Sequence, residues 1–466
     1  MPEAAPPRPS PASTSPIETW HGLLRPDVEL TSSYWHAITE QMRAAKLTFG
    51  DRPLCPFLRP FFLTSADEAR VKRVSETMAR LGERVAQAAM VDPALLRHVR
   101  LTGAEERLVR IDPGHATAST ASRLDAFLLP DSLKFAEYNA ESPAGLGYSE
   151  TLAEIFDALP IMQRFRDRFR TRMYKLADGI LDALLASYRE WGGHVDAPTM
   201  LITDWREVPT WTEFEMLRDR FIARGVPTIV ADPRDLTFEQ GNLIAQGKTI
   251  DLVYRRVLMA DIIARESECR ALLDAYMQQA VCMANTLRCK IPHKKAFFAV
   301  LTDDRYASMF TDDERTLIDA HVPWTRVLSD TRTKYGDQSI DLLSYVRQQR
   351  ERMVIKPNDE YGGSGVTLGW EADASQWDTT IERALADAAK GDDGSAWVVQ
   401  EKIPVRRELF PVFDPVADRV VMRDMLVDMA PYLFRGKMSG FLTRLSASGL
   451  ANVTSGGGQV PAFVVD

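Results

Sequence analysis

Residues 356–369, KPNDEYGGSGVTLG, decide the fold of this chain. An apolar run at 353–355 ends at Lys356, and a second apolar run follows the glycines at 366–368. Two such runs around a glycine cluster are typical of a β-hairpin. Its glycines, Gly362, Gly363 and Gly365, allow backbone angles at which N–H groups converge on anionic oxygens, and Lys356 would add a charge. On its own the stretch fits a plain glycine-rich hairpin better, but three further segments favour a hairpin that covers phosphate groups.

Length and composition are those of a multi-lobed globular enzyme. The chain has 466 residues, more than one hydrophobic core usually supports, and 45% of them are hydrophobic. A net charge of −8 argues against a general nucleic-acid or membrane surface. The four cysteines lack metal-binding spacing, and no apolar stretch reaches the roughly 20 residues that span a bilayer. With no signal-peptide pattern, a soluble cytoplasmic protein with reduced thiols is expected.

Composition and periodicity predict four segments. Residues 1–17, rich in Pro, Ala and Ser, are expected to be a disordered lead, and 18–190 a helical lobe that carries a strand hairpin. Residues 196–285 alternate strand and helix patterns, which indicates a central α/β domain with helices over 259–288. Residues 286–466 hold the glycine hairpin and a strand-rich end.

One segment resembles the phosphate loop of P-loop NTPases. GNLIAQGKT at 241–249 has five residues between its glycines, whereas that motif requires four between a strand and a helix. Because strand-like runs stand on both sides of Gln246 and Gly247, a plain hairpin turn is expected instead.

Three strand-like runs are expected between 105 and 140: RLVRID, SRLDAFLL and LKFAEYN. Residues two apart on a strand face the same side, so Arg123 projects with Asp125 and Glu137 projects with Asn139. An antiparallel hairpin would bring the two pairs together. Two carboxylates and an amide oxygen are hard ligands suited to Mg²⁺, although a surface hairpin with a cross-strand ion pair is the simpler reading.

The order of these motifs resembles the circularly permuted ATP-grasp family, type 2, the glutathionylspermidine synthase-like type. In that type an R-x-D pair and an E-x-N pair precede the nucleotide lysines. The resemblance covers roughly 105–150 and most of 250–466, and further segments continue it: ANTLRCKIPHKKAFFAVL at 284–301, VIKPNDEYGGSG at 354–365, WVVQEKI at 397–403 and GFLTRLSASGLANVTSGGG at 440–458.

The resemblance implies an α/β (α+β) fold in which two β-rich lobes clamp ATP, beside an N-terminal helical region and a central α/β domain on the substrate side. It assigns roles by position: Arg123 and Arg444 to phosphoryl transfer, Asp125, Glu137 and Asn139 to Mg²⁺, and Lys295, Lys356, Gly362, Gly363, Gly365, Gln400, Glu401 and Ile403 to ATP. Val354 and Val399 would flank the adenine. Lys294 stays an alternative to Lys295.

Read as chemistry, this implies an ATP- and Mg²⁺-dependent ligase that joins an amino-acid or peptide-like acid to an amine or thiol through an acylphosphate. An ATP-binding regulatory protein without catalysis and a small-molecule kinase are the alternatives. Arg255 and Arg256 would either meet the substrate carboxylate or form an interdomain ion pair. The acid, the nucleophile and the oligomeric state are not fixed by the sequence.

Overall fold

The computed structural model describes residues 15–24, 28–49, 52–360, 362–391, 395–414, 419–447 and 457–466. Residues 1–14 of the expected lead lie outside this part of the chain, and the first helix begins at Pro16. No helix in the described ranges has the length and apolar character needed to cross a bilayer. The four cysteines are buried and unpaired.

The α-helices of the described residues run in chain order as follows: α1 Pro16–Leu24, α2 Val28–Ala44, α3 Ser65–Val91, α4 Pro93–Val99, α5 Gly103–Val109, α6 Leu146–Asp157, α7 Pro160–Arg166, α8 Leu176–Trp191, α9 Trp211–Ala223, α10 Met259–Ala264, α11 Arg270–Met277, α12 Lys290–His293, α13 Ala296–Thr302, α14 Asp312–His321, α15 Leu342–Gln348 and α16 Ala374–Ala388.

The strands of the same residues are β1 Thr48–Phe49, β2 Arg52–Pro53, β3 Phe61–Thr64, β4 Ala121–Leu128, β5 Leu133–Asn139, β6 Thr171–Arg172, β7 Met200–Thr203, β8 Thr228–Ala231, β9 Thr237–Glu239, β10 Asn242–Ala245, β11 Lys248–Thr249, β12 Leu252–Arg255, β13 Cys282–Ala284, β14 Thr325–Val327, β15 Arg332–Tyr335, β16 Gln338–Asp341, β17 Met353–Pro357, β18 Thr367–Leu368, β19 Trp397–Glu401, β20 Arg406–Asp414, β21 Arg419–Phe434, β22 Lys437–Ser446, β23 Gly458–Val460 and β24 Ala462–Val465.

The glycine hairpin belongs to a four-stranded antiparallel sheet with the order β14-β19-β17-β18. Val354 pairs with Leu368 and Ile355 with Thr367, as the two apolar runs predict. Ile355 and Val399 pack with Trp377 in the core between this sheet and its helices, so the opposite face of the sheet is left to form a cavity wall.

A larger antiparallel sheet has the order β23-β22-β21-β4-β5, and β20 also pairs with β21. The predicted hairpin β4–β5 therefore lies beside strands from the far end of the chain. Because β4 pairs with β21, the sheet joins two segments that are remote in sequence, β4–β5 and β20–β23, into one surface. This surface forms the other wall of the cavity.

The central α/β unit contains a parallel sheet of order β13-β12-β7-β8. Its strands are buried along their whole length, as expected for a sheet covered on both faces. The expectation of helices over 259–288 is wrong at β13, which pairs with β12. The 241–249 segment is a hairpin, since β10 pairs with β11 around Gln246 and Gly247.

The expectation of a strand at RLVRID is also wrong, because helix α5 covers Gly103–Val109. Thr102 and Glu105 form a capping box in which each side chain accepts from the other residue's backbone N–H. Such a box satisfies two N–H groups of the first turn and stabilises a helix start. The T-x-x-E spacing at 102–105 therefore favours a helix more strongly than the apolar alternation of RLVRID favours a strand.

Candidate active site

A cavity of about 360 Å³ lies between the glycine-hairpin sheet and the larger antiparallel sheet. Its walls contain most of the side chains that the sequence assigned to ATP and metal, together with residues that the sequence did not single out. Arg123, Asn139 and Gly365 are not in its lining. Its lining includes Asp125, Glu137, Lys295, Val354, Lys356, Glu360, Gly362, Gly363, Gln400, Glu401, Lys402, Ile403, Asp428 and Arg444.

The β4–β5 register places the predicted pairs side by side. Arg123 lies opposite Asn139, and Asp125 lies opposite Glu137. Arg123 Nε donates to Asp125 Oδ1 at 3.0 Å, and its Nη1 donates to the Ala144 carbonyl at 3.1 Å. Arg123 is buried behind the carboxylate rather than facing the cavity, so it acts on the site through Asp125.

Arg444 reaches the same carboxylate from β22. Its Nη2 donates to Asp125 Oδ2 at 2.5 Å, and its Nε donates to Asp428 Oδ2 at 2.7 Å. Although burial raises the pKa of Asp125, Arg123 and Arg444 hold it well below its usual range. Asp125 is therefore ionised and fixed between two arginines.

Asp428 is a cavity residue that the sequence reasoning missed. It is fully buried on β21, opposite Arg444, and burial raises its pKa to about 6 despite the arginine. An aspartate inside the apolar run MLVDMAPYLF was the available signal, because a buried carboxylate needs a partner.

Glu137 and Asn139 offer oxygen ligands beside Asp125. Asn139 Nδ2 donates to Glu137 Oε1 at 3.1 Å, and Glu137 Oε2 lies 3.6 Å from Lys295 Nζ. No group of three or more His, Cys, Asp or Glu suited to a metal occurs in the described ranges. The set here has two carboxylates and one amide, a donor chemistry that fits Mg²⁺ completed by water and phosphate oxygens.

The two predicted lysines enter the cavity from the glycine-hairpin side. Lys356 Nζ donates to Gln400 Oε1 at 2.7 Å and to the Ala136 carbonyl at 3.3 Å. Lys295 Nζ donates to the Glu360 carbonyl at 2.5 Å. Burial lowers the pKa of Lys356 to about 8, and Lys295 contributes to the lowering while Glu137 opposes it.

Lys294 points away from this cavity. Its Nζ lies 2.7 Å from Glu105 Oε1 and 3.1 Å from Asp359 Oδ2, and its side chain is almost fully buried. The geometry favours Lys295 over Lys294 as the residue that faces a nucleotide.

Lys294 belongs to a buried ion cluster of three cations and three anions. Lys290 Nζ lies 3.0 Å from Glu141 Oε2 and 2.7 Å from Asp359 Oδ1, so it links these two carboxylates. Although burial opposes it, Lys290 lowers the pKa of Glu141 to about 2. The members are Glu105, Glu141, Arg255, Lys290, Lys294 and Asp359. Asp359 stands at the entry to the glycine turn, so the cluster fixes that end of the turn against α5, α12 and the chain after β5.

The two central arginines have structural partners. Arg255 Nη1 pairs with Glu141 Oε1 at 3.1 Å, and both side chains are fully buried. Arg256 Nη1 donates to the Pro143 carbonyl at 2.8 Å and to the Tyr254 hydroxyl at 3.0 Å. Of the two alternatives left open by the sequence, the geometry favours the ion pair for Arg255.

The strand end at 400–403 provides backbone groups at the cavity edge. The Lys402 N–H donates to the Arg352 carbonyl at 2.8 Å, whereas no partner of the Ile403 N–H is found in the described part of the chain. Gln400 Nε2 donates to Thr325 Oγ1 at 3.1 Å, which holds its oxygen toward Lys356. Val354 lines the cavity, but Val399 packs in the core on the opposite face, so the expectation that both flank a bound base is wrong for Val399.

The glycine turn has the expected backbone. Gly362, Gly363 and Gly365 have φ of +64°, +80° and +68°, values that favour glycine. A Cβ at Gly365 would lie 2.7 Å from Pro357 Cγ, so this position also needs glycine for space.

The chain is similar in sequence and in fold to known proteins. The sequence profile described as circularly permuted ATP-grasp type 2 matches residues 130–453. Among curated proteins, the chain is 22% identical over 269 residues to a putative glutamate–cysteine ligase 2-2 of Frankia casuarinae. That match covers 54% of this chain and 28% of the relative, so the chain spans less than a third of the relative's length.

Two solved structures are also similar. A glutathione synthetase-like effector from Globodera pallida, in its apo form, matches with a TM-score of 0.60 at 13% identity, over 95% of this chain and 98% of that one. A putative gamma-glutamylcysteine synthetase from Methylobacillus flagellatus matches with a TM-score of 0.40 at 11% identity, over 84% and 85%. The first likeness shows a common fold.

Proposed function

Because the chain belongs to the circularly permuted ATP-grasp type 2 family, we propose that it is an ATP- and Mg²⁺-dependent ligase that joins a carboxylic acid to an amine or thiol. The family match confirms the fold class expected from the motif order. The glutathionylspermidine synthase-like subtype, the segment boundaries and the cytoplasmic location remain predictions from the sequence.

One observation carries the proposal: Lys295, Lys356, Asp125, Glu137 and Arg444 converge on a single cavity between two sheets. A site that only held a nucleotide would need the lysines. Arg444, fixed by Asp125 and Asp428, adds a guanidinium aimed at the same space, where it would stabilise charge that develops during phosphoryl transfer.

In the proposed reaction, Lys295 and Lys356 bind the phosphates of ATP, and the N–H groups of the glycine turn cover them. The backbone at Lys402 and Ile403, which follows Gln400 and Glu401, meets the adenine edge. Asp125, Glu137 and Asn139 would hold Mg²⁺, which when bound would neutralise phosphate charge. Arg123 positions Asp125.

The substrate carboxylate would attack the γ-phosphorus of ATP, releasing ADP and forming an acylphosphate. The amine or thiol would then attack the acyl carbon and release phosphate. The name of the Frankia relative, and the amino-acid-like acid expected from the sequence, both favour an amino-acid carboxylate as the first substrate.

The test is ADP release measured over pooled amino acids and pooled amines, with Lys356→Ala as the control for contaminating ATPase. We expect release only when an acid and an amine or thiol are both present, and hydroxylamine in place of the amine should yield a hydroxamate. ADP release with one hydroxyl compound alone would indicate a kinase. ATP binding with no ADP release from any pool would indicate a binding protein.

A further inference from the structure

A second cavity, of about 460 Å³, lies outside the nucleotide cleft, and we name it the arginine pocket. It is bordered by the end of α4, by the turn at 303–305, by β14 and by the β15–β16 hairpin. None of its lining residues lines the cleft described above. Its chemistry has no role in the proposed ligase reaction.

The lining of the arginine pocket is strongly basic, although the whole chain carries a net charge of −8. Five basic side chains face two carboxylates, and both carboxylates have partners. Asp303 accepts from Arg305 Nη2 at 2.6 Å, and Asp304 lies 3.1 Å from Lys334 Nζ. Three cations therefore remain without a carboxylate partner within the described ranges: Arg100, Arg326 and Arg332.

Of the three, Arg326 gives the strongest indication of an anion site, because it is only 5% exposed. Its guanidinium is fixed by neutral oxygens: Thr333 Oγ1 at 2.8 Å from Nε, the Thr325 carbonyl at 2.7 Å and Thr302 Oγ1 at 3.1 Å from Nη1, and the Lys334 carbonyl at 3.1 Å from Nη2. It also lies over the Trp324 ring, 4.9 Å from the centroid. Asp303 lies close enough to offset part of the cost of burying this cation, but it is bound to Arg305 and forms no ion pair with Arg326. A buried cation without a direct counter-ion is costly unless a ligand supplies one.

Other groups in the pocket suit an anion. His98 Nε2 is buried with no hydrogen-bond partner in the described residues. Burial lowers the pKa of His98 to about 4, and Arg305 is the largest of the nearby cations that reinforce the shift. Hydroxyl groups of Ser329 and Thr331 also line the pocket. Burial likewise lowers the pKa of Arg326 to about 10, although Asp303 opposes the shift.

We infer that the arginine pocket binds a polyvalent anion of the phosphate class, at a site distinct from the nucleotide cleft. Planar guanidinium groups match phosphate oxygens with paired hydrogen bonds, and serine and threonine hydroxyls complete such sites. The volume exceeds what inorganic phosphate needs and falls in the range of small-molecule pockets, which indicates a phosphorylated metabolite or a di- or triphosphate.

The pocket adjoins the nucleotide cleft through one strand. Arg326 donates to the Thr325 carbonyl, and the Thr325 hydroxyl accepts from Gln400, which in turn accepts from Lys356. An anion bound to Arg326 would therefore contact β14, the strand whose Thr325 holds Gln400, and Gln400 in turn holds Lys356.

The experiment measures binding of inorganic pyrophosphate by calorimetry at fixed ionic strength. The full chain with Lys295→Ala and Lys356→Ala is used, so that the nucleotide cleft does not compete. We expect one equivalent to bind. Arg100→Gln and Arg332→Gln, both of exposed residues, should each weaken binding roughly tenfold, the effect of losing one hydrogen bond to a charged group. Arg326→Met should abolish binding.

The matched control is Arg347→Gln, which removes a charge from the same lobe but pairs with Asp378 away from the pocket. It should leave pyrophosphate binding unchanged. If Arg326→Met does not fold, the two exposed variants decide the result. The inference is overturned if pyrophosphate fails to bind, if the pocket variants bind as tightly as their parent, or if citrate binds more tightly than pyrophosphate.

Discussion

Lys356 is a half-buried amine whose pKa lies at about 8, chiefly because burial disfavours its charged form. Phosphate oxygens would favour the charged form, so the pKa of Lys356 should rise when ATP binds. We therefore expect constant ATP affinity below pH 8 and a decline of up to about tenfold per pH unit above it.

Calorimetry between pH 7 and 9.5 measures this affinity, and buffers of different ionisation enthalpy report the proton taken up on binding. Glu137, Lys295 and Asp125 face the same amine, so Lys356→Arg, which stays charged throughout this range, is the control for effects that do not come from Lys356. Its affinity should vary less with pH. A wild-type affinity that stays flat up to pH 9.5 would contradict the prediction.

Arg444 is expected to contribute both to stability and to the proposed reaction, and two different substitutions separate these roles. Arg444→Ala leaves fully buried Asp428 without its cation and should lower the free energy of unfolding by about 3–5 kcal/mol. Arg444→Lys retains a charge for Asp428 but loses the planar fork. It should keep most of the stability while kcat falls by about 10²-fold, which is the effect of losing one donor to transition-state charge.

Urea unfolding and steady-state ADP release measure the two effects. An Arg444→Lys enzyme with wild-type kcat would assign Arg444 a structural role only.

At the scale of elements, the glycine turn offers a matched pair of substitutions. Gly362 and Gly365 both have positive φ, but a Cβ at Gly362 meets open space while one at Gly365 meets Pro357 at 2.7 Å. Gly362→Ala should lower the free energy of unfolding by only about 1 kcal/mol, the strain of a non-glycine residue in the left-handed region. Gly365→Ala should also displace Pro357, next to Lys356, and weaken ATP binding more. Equal dissociation constants for the two variants would contradict this.

The buried ion cluster supplies a second element-scale prediction. Lys290 is 2% exposed, and Lys290→Met would leave Asp359 and Glu141 with fewer cations, lowering the free energy of unfolding by about 3–5 kcal/mol. Lys46→Met is the control, because Lys46 is 69% exposed and lies 3.6 Å from Glu215. It should change stability by less than about 0.5 kcal/mol. Chemical denaturation compares the two.

Across the whole molecule, ATP would bridge two sheets, so its binding should stabilise the protein against heat. At a concentration of 100 Kd the expected gain is about 2.7 kcal/mol. The gain should be larger with Mg²⁺ than with chelator, if Asp125, Glu137 and Asn139 hold the metal. Glu137→Gln should remove the magnesium-dependent part and retain the rest. Equal thermal shifts with Mg²⁺ and with chelator would argue against the metal site.

Local patterns explain which parts of this molecule the sequence predicts. The β4–β5 pairs and the glycine hairpin follow from two-residue periodicity and turn chemistry, which act over short stretches. Asp428, the buried ion cluster and the arginine pocket depend on contacts between remote strands and helices, which periodicity does not report. A strand is expected in place of helix α5, because the apolar alternation there competes with a capping box. Val399 is expected in the cavity but lies in the core, because the sequence does not show which face of its strand is turned to the cavity.

The contact of Asp125 with Arg444 joins positions 319 apart, across strands that are neighbours only in the finished sheet. The parallel sheet, by contrast, uses residues close in sequence, between β7 and β13. Closing a long loop costs more chain entropy than closing a short one, so distant pairings tend to form late. The ability to bind a nucleotide should therefore emerge only after the middle of the chain has folded, when the surface that carries Asp125 and Arg444 forms.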